Sequence, residues 1–401
     1  MTFNRIAKIS AAALAALLAF IFLNVKPLEN AAVSAAAIEH PYASSIVEQS
    51  GELRESLSES NRQLYDVIKE GLLECESEIL VRRFSYVEQD IQDVMWYIMQ
   101  DSPEIFWVEW AWNIHSRSDG FIVSPSYIFT KEEVETKRAE LEAAVNALAA
   151  EAEEKGMTST ELDKTRFVHD TLINSCSYTE NSGDTVIHTS YGALVLGQAV
   201  CDGYAHAARL LLSRLGVQTR YVEGEAVNDG MVEGHAWNLV QVDGGYYHMD
   251  ITWDDGDHKT DEGEATNVVS YTYFLVSDEE IGIDHSIQNK AELPDCGGYD
   301  YFGKMGLSAA DFDDIADDVA GALFQNIIDG RYFVQFKIID PAEFEAMSGE
   351  DIFQNGLTDV LDSVNEMLED GDYTQRVEDS RCRTHRDEEH STILIVFEEE
   401  D

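Results

Sequence analysis

The chain has 401 residues, 44% hydrophobic and 10% aromatic, a globular composition rather than a disordered one. Such a length accommodates two or three compact units with sizeable cores. Against 27 basic residues stand 77 acidic ones, a formal charge of −50 that repels nucleic acid and anionic membrane surfaces and sets both aside as partners. The acidity reads as a solubilising surface. Asp254, Asp255 and Asp257, and the tail Glu398–Asp401, lack the alternating spacing of a calcium loop.

At the N-terminus, Arg5 and Lys8 precede an uncharged, mostly apolar run from Ile9 to Val25, which Lys26–Pro27 closes. Small residues at Ala31, Ala32 and Ser34–Ala37 then offer a cleavage site. The run is at the short end of the roughly 17–25 residues that a spanning helix needs. Residues 1–37 are therefore expected to be a cleaved signal peptide, with the mature chain starting near residues 35–38. An uncleaved N-terminal anchor is the alternative and would be the chain's one link to a membrane. The expected location is extracytoplasmic, secreted or at the cell surface. Cys75, Cys176, Cys201, Cys296 and Cys382 are too few and too scattered for a disulfide framework, and their odd number leaves at least one thiol unpaired.

Residues 50–80 read as helix, with Leu53, Leu57, Leu64, Val67, Ile68 and Leu72 as the apolar positions. A second helix, Val87–Met99, leads into a turn at Asp101–Glu104. Phe106, Trp107, Trp110 and Trp112 are expected to pack in a core, ahead of a strand-like Phe121–Phe129. Thr130–Lys155 is a charged helix with Val134, Leu141, Val145 and Leu148 on one stripe, broken at Gly156. The helix Glu161–Ile173 carries His169–Asp170, a pair better suited to packing and hydrogen bonding than to a metal. Residues 201–215 form another helix, with Ala205, Ala208, Leu211, Leu212 and Leu215 on one face and Gly216 as its stop. Strands follow at Thr219–Val222, Ala236–Val242 and Tyr246–Thr252, the last two joined by a hairpin at Asp243–Gly245. Past Gly303 comes a small α+β unit, with strands Tyr332–Ile339 and Thr392–Phe397 and a helix Leu357–Leu368.

Cys201 stands at the first turn of its helix, where unpaired N–H groups and the helix dipole favour a thiolate and can bind an oxyanion. It is expected to be the one thiol with a strongly lowered pKa. His235 follows 34 residues later at a strand start, and Asp250 another 15 beyond, on the hairpin partner. Pairing across the turn can set imidazole and carboxylate side by side, leaving the other ring nitrogen for the thiol. Two rivals are weaker. Cys176 sits in a polar turn with no adjacent base. His248 shares a strand face with Asp250 but lacks the setting of His235. A zinc site built from residues so far apart matches no common knuckle, so neither metal nor cofactor is expected.

The motifs Cys201–Asp202–Gly203–Tyr204–Ala205, Gly234–His235–Ala236–Trp237–Asn238 and Asp250–Ile251–Thr252–Trp253 resemble, in order, the core of the transglutaminase-like superfamily. The likeness extends to His169–Asp170 upstream and to Tyr271–Leu275, His285 and Pro294–Cys296 downstream, as in secreted bacterial members. What the resemblance implies is an α+β, papain-like core: a Cys-bearing helix on an antiparallel sheet, a thiolate–imidazolium pair and an acyl-enzyme. Cys201 would be nucleophile, His235 general base and acid, and Asp250 the orienting group. Where animal tissue transglutaminases have Gln-Cys-Trp, this chain has Val200–Cys201–Asp202, which removes the basis for expecting calcium-dependent cross-linking. Gln198 is a candidate oxyanion donor by proximity alone, better suited to a surface or capping role, and Tyr191 is a candidate on no firmer ground.

The expected organisation is a leader at 1–37, a mainly helical region at 38–157, a transglutaminase-like catalytic domain at 158–302 and a small α+β unit at 303–401. The expected function is extracytoplasmic acyl transfer on peptide or protein amide bonds, by hydrolysis or transamidation, with substrates that include cell-wall peptides. The alternative is a non-catalytic surface or cell-wall interaction module on the same fold.

Overall fold

The computed structural model describes residues 52–82, 86–179, 183–228, 230–255, 268–290, 293–299, 301–348, 352, 356–378 and 382–398. The leader expected at 1–37 and the start of the helix expected at residue 50 lie outside the described residues. No described helix is long and apolar enough to cross a membrane.

The helix expected over 50–80 is two helices and a strand. Glu52–Ser56 is followed by α1 (Glu59–Leu73), which starts where the Ser58 side chain accepts from the Asn61 N–H. Cys75, at φ 52°, turns the chain out of that helix and into β1 (Ile79–Val81). After α2 (Glu88–Asp101), β2 (Val108–Arg117) and β3 (Gly120–Tyr127) complete an antiparallel sheet of order β1-β3-β2. Ahead of Glu161, a three-stranded sheet thus accompanies the expected helices. The aromatic cluster does pack as expected. Trp107 is fully buried and donates to the Leu72 carbonyl at 3.0 Å, and Phe106 stacks on Tyr191 at 4.8 Å. In α3 (Lys131–Glu154) a Thr130–Glu133 capping box fixes the start, and Val134, Leu141 and Val145 form the buried stripe.

The central layer consists of α4 (Glu161–Ser175), α5 (Cys201–Arg214) and a five-stranded sheet. Its strands are β4 (Thr219–Asn228), β5 (Met231–Val242), β6 (Gly245–Met249), β7 (Phe274–Val276) and β8 (His285–Ile287). Their order is β8-β4-β5-β6-β7, antiparallel throughout. The β5–β6 turn is the expected hairpin, with positive φ at Asp243 and Gly244. Alternation along β5 sends Ala236 and Asn238 toward α5, where the Asn238 side chain donates to the Ala205 carbonyl at 3.1 Å. Trp237 and Leu239, on the other face, enter a second apolar cluster with Val222, Tyr273, Val276, Ile281 and Cys296.

After the short helix α6 (Ile251–Asp254), towards the C-terminus, α7 (Ala316–Ile328) and α8 (Thr358–Asp370) pack beside β9 (Phe333–Ile338), β10 (Cys382–Asp387) and β11 (Thr392–Phe397). The expected strands and helix are present. The polar edge strand β10 was not foreseen, because Cys382–Asp387 has no apolar alternation. Gln335 of β9 accepts from the Tyr271 N–H at 2.7 Å and donates to Thr272 at 3.0 Å. That ties the C-terminal sheet to the segment leading into β7.

Candidate active site

Cys201 is the first residue of α5, and the cap residue Val200 offers no side-chain acceptor, so the first-turn N–H groups have no cap partner. Gly203 allows this start. A Cβ there would come within 2.3 Å of the Ile187 carbonyl oxygen, because the turn at Thr185–His188 crosses the helix at that point. The thiol is partly buried against Ala205, Tyr221 and Ala236. Its Sγ lies 3.9 Å from Asp202 Oδ1, and the Ala236 and Asp202 N–H groups also reach it.

His235 lies on β5 beside Trp237, whose ring is nearly parallel to the imidazole at 5.7 Å. Gly224 is opposite it on β4; a Cβ at that position would run into the Ser286 carbonyl at 2.1 Å and the Trp237 ring at 2.7 Å. Asp250 does not lie on the hairpin strand. It comes one residue after β6 and caps α6 (Ile251–Asp254), with Oδ1 accepting from the Thr252 and Trp253 N–H groups at 3.0 and 3.2 Å. Its Oδ2 accepts from His235 Nε2 at 2.5 Å. The structure therefore joins His235 to Asp250 and leaves His235 Nδ1 for another partner. It forms no hydrogen bond between that ring and Cys201 Sγ.

The electrostatics correct one expectation. Burial first, then the Asp202 carboxylate, pushes the Cys201 thiol up to about 12, against the pull of the Ala236 and Asp202 N–H groups; Asp250 adds to the rise. Cys176 and Cys296 are likewise raised by burial to about 12. At rest Cys201 is a neutral thiol, not the lowered-pKa thiol expected from its helix start, because burial and the Asp202 charge together outweigh the helix terminus. Burial opposes ionisation of Asp250 too, yet His235 and His285 hold its carboxyl well below the usual range.

Several site residues had no role from sequence. Asp202 Oδ2 meets His188 Nδ1 at 2.9 Å, and its Oδ1 accepts from the Tyr221 hydroxyl at 3.1 Å. His285 Nε2 shares Asp250 Oδ2 at 3.1 Å. The adjacency of Asp202 to Cys201 was a readable signal; the approach of His188 and His285 was not. The Tyr191 hydroxyl donates to Glu140, and Gln198 is exposed on a two-residue strand. His248 is no rival base. Its Nδ1 accepts from Trp237 Nε1 at 2.9 Å, its Nε2 meets Asp278 at 2.9 Å, and burial holds it neutral, down at about 4. His169 is a packed histidine, as expected, with its ring nitrogens 3.1 Å from Asp170 and Asp254.

Two groups of metal-type ligands exist among the described residues, His235–Asp250–His285 and His248–Asp278–Cys296. Trp237 fixes the His248 proton on Nε2, where it points at Asp278 and offers an ion no lone pair; Lys290 also holds Asp278 at 2.8 Å. In the first group both His285 nitrogens are spent on carboxylates. Both clusters suit hydrogen-bond networks.

A helix that carries a thiol, packed on an antiparallel sheet that brings a histidine to a buried aspartate, is the α+β architecture of the papain-like class. The family model described as the transglutaminase-like superfamily matches residues 146–251, a span that includes Cys201, His235 and Asp250. Among solved structures, the chain is similar to a candidate cysteine protease from Cytophaga hutchinsonii, at 22% identity over 22% of this chain and 30% of that one, with a TM-score of 0.20. A transglutaminase ("TGase") structure aligns at 15% identity over 41% of this chain and 48% of its own, with a TM-score of 0.26. A candidate protease from Parabacteroides distasonis aligns at 12% identity over 35% and 30%, with a TM-score of 0.22. The chain spans less than half the length of each of these. No curated protein matches it.

Proposed function

We propose that this protein is an extracytoplasmic thiol enzyme that transfers acyl groups from peptide or protein amide bonds, with cell-wall peptides among its substrates. Cys201 is the nucleophile, His235 the general base and acid, and Asp250 the group that orients His235. One observation carries the reading: Asp250 holds His235 by Nε2 at 2.5 Å, so that Nδ1 is left over, while Cys201 packs against Ala236, the next residue of the same strand. The thiol proton would pass to Nδ1 as sulfur attacks the carbonyl carbon. The same proton then leaves on the departing amine, and water or a second amine releases the acyl group. Catalytic hydrogen bonds are often long without substrate, so the sulfur–imidazole contact is expected to tighten on binding. The apolar run at Ile9–Val25 supports export.

The test is mass spectrometry of the protein after incubation with cell-wall peptides and amine donors, where an acyl adduct on Cys201 is expected. Cys201→Ala and His235→Ala should each lower turnover by about a thousandfold or more, with the double variant hardly worse. Asp250→Asn should retain more. Turnover that survives Cys201→Ala ends the thiol mechanism. The raised, imidazole-free thiol favours a second reading, a non-catalytic interaction module on the same fold. Peptide retention with no adduct on Cys201 would select it.

A further inference from the structure

Behind the His235–Asp250 pair stands a second histidine. His285 is buried at the start of β8, the strand that hydrogen-bonds to β4 on the side away from β5. Its Nε2 lies 3.1 Å from Asp250 Oδ2, the oxygen that also takes His235, and its Nδ1 meets Asp284 Oδ1. Asp284 Oδ2 in turn accepts from the Tyr273 hydroxyl at 2.6 Å. A neutral imidazole has one ring nitrogen without a proton, and that nitrogen would face a carboxylate oxygen lone pair to lone pair. Two carboxylates on two nitrogens therefore require the doubly protonated ring. We infer that His285 is a positioning residue of the thiol site, an imidazolium clamped between Asp284 and Asp250 that shares Asp250 with His235 and so sets the proton affinity of the His235–Cys201 pair.

The inference rests on the acyl-transfer reading only for its purpose; the proton balance holds for any chemistry at Cys201. With Asp250 alone behind it, His235 would face an uncompensated buried carboxylate and hold its proton tightly. The charge on His285, whose ring centre is 5.3 Å from that of His235, offsets this attraction and lets the pair give up a proton at lower pH. The other groups facing His285 do not replace that charge. His248, on β6, is neutral, Tyr273 is an uncharged donor, and Trp237 and Trp253 pack on the ring without charge. Asp387 and His390, beyond Tyr273, pair with each other at 3.1 Å. Burial alone would lower the His285 pKa, yet the two carboxylates raise it to about 9.

The test needs no substrate. Nitrogen NMR of the histidine rings in the intact protein should show His285 with both nitrogens protonated at neutral pH; a neutral His285 there overturns the proposal without any variant. The pH profile of Cys201 alkylation by iodoacetamide is then compared between wild type and His285→Gln, which keeps a donor toward Asp250. Removing a positive charge makes each proton of the thiol–imidazole pair harder to lose. The whole profile should move to higher pH by about one unit, a tenfold slower reaction at fixed pH on the rising limb. An unmoved profile in a folded variant would mean that His285 only props up the structure. Because alkylation and NMR require no acyl transfer, a failure here is distinct from a failure of the proposed function.

Discussion

Asp202→Asn is the sharpest probe of why the Cys201 thiol is neutral at rest. Asp202 Oδ1 lies 3.9 Å from Cys201 Sγ, and Asp202 Oδ2 is held by His188 Nδ1 at 2.9 Å. At an effective dielectric of about 20, a unit charge at that distance is worth about 4 kcal/mol, or about three pH units, before compensation. His188, raised toward its charged form by Asp202, cancels part of this, and a net effect of about one to two units remains. The sign is definite: a carboxylate disfavours the thiolate beside it, so replacing it with the isosteric amide must lower the thiol pKa. Iodoacetamide alkylation across a pH series, read by peptide mapping, should show the Cys201 midpoint lowered by that amount. His188→Gln should move it the other way, by stripping the compensation. A Cys201 midpoint that stays put or rises in Asp202→Asn refutes the reasoning, and burial alone would then account for the raised thiol.

The imidazolium rings at His169 and His285 make stability depend on pH. Both are raised to about 9 against opposing burial, by Asp170 and Asp254 for the first and by Asp250 and Asp284 for the second, whereas an unfolded histidine titrates near about 6.5. Their contribution is complete below about pH 6.5 and is lost as pH rises through 9, on the order of 3 kcal/mol for each ring. The melting temperature should fall across that window, and His169→Gln should flatten the fall; a melting temperature that climbs there would contradict the assignment. Gly224→Ala should cost about 1–3 kcal/mol in chemical denaturation, because its Cβ has no room between Ser286 and Trp237. Wild-type stability would show that β8 yields to it. In the native protein Cys176 and Cys296, both buried, should react more slowly with iodoacetamide than the partly exposed Cys201. Equal labelling at about pH 8 would mean that their shielding is lost in solution.

The sequence by itself determined the local elements and their order. Apolar stripes in Thr130–Lys155 and in the helix from Cys201, and the turn at Asp243–Gly245, were readable because helix and hairpin signals lie within a few residues of one another. The Cys201, His235 and Asp250 motifs were readable for the same reason, each being a short run with its own neighbours. Local pattern failed where a backbone turn ended an apolar stripe, as at Cys75, and where an edge strand was polar, as at Cys382–Asp387. It also set Asp250 on a strand, whereas Asp250 caps the next helix and meets His235 from there. Tertiary structure alone decided the charges around the thiol. His285 is 35 residues from Asp250 in sequence and His188 is 14 from Asp202, yet each sits on its carboxylate, and no periodicity encodes that. The Cys201 thiol was expected to ionise easily because a helix start favours it. The fold buries it beside Asp202, and that burial, with a charge within 4 Å, outweighs the partial charge of a helix end.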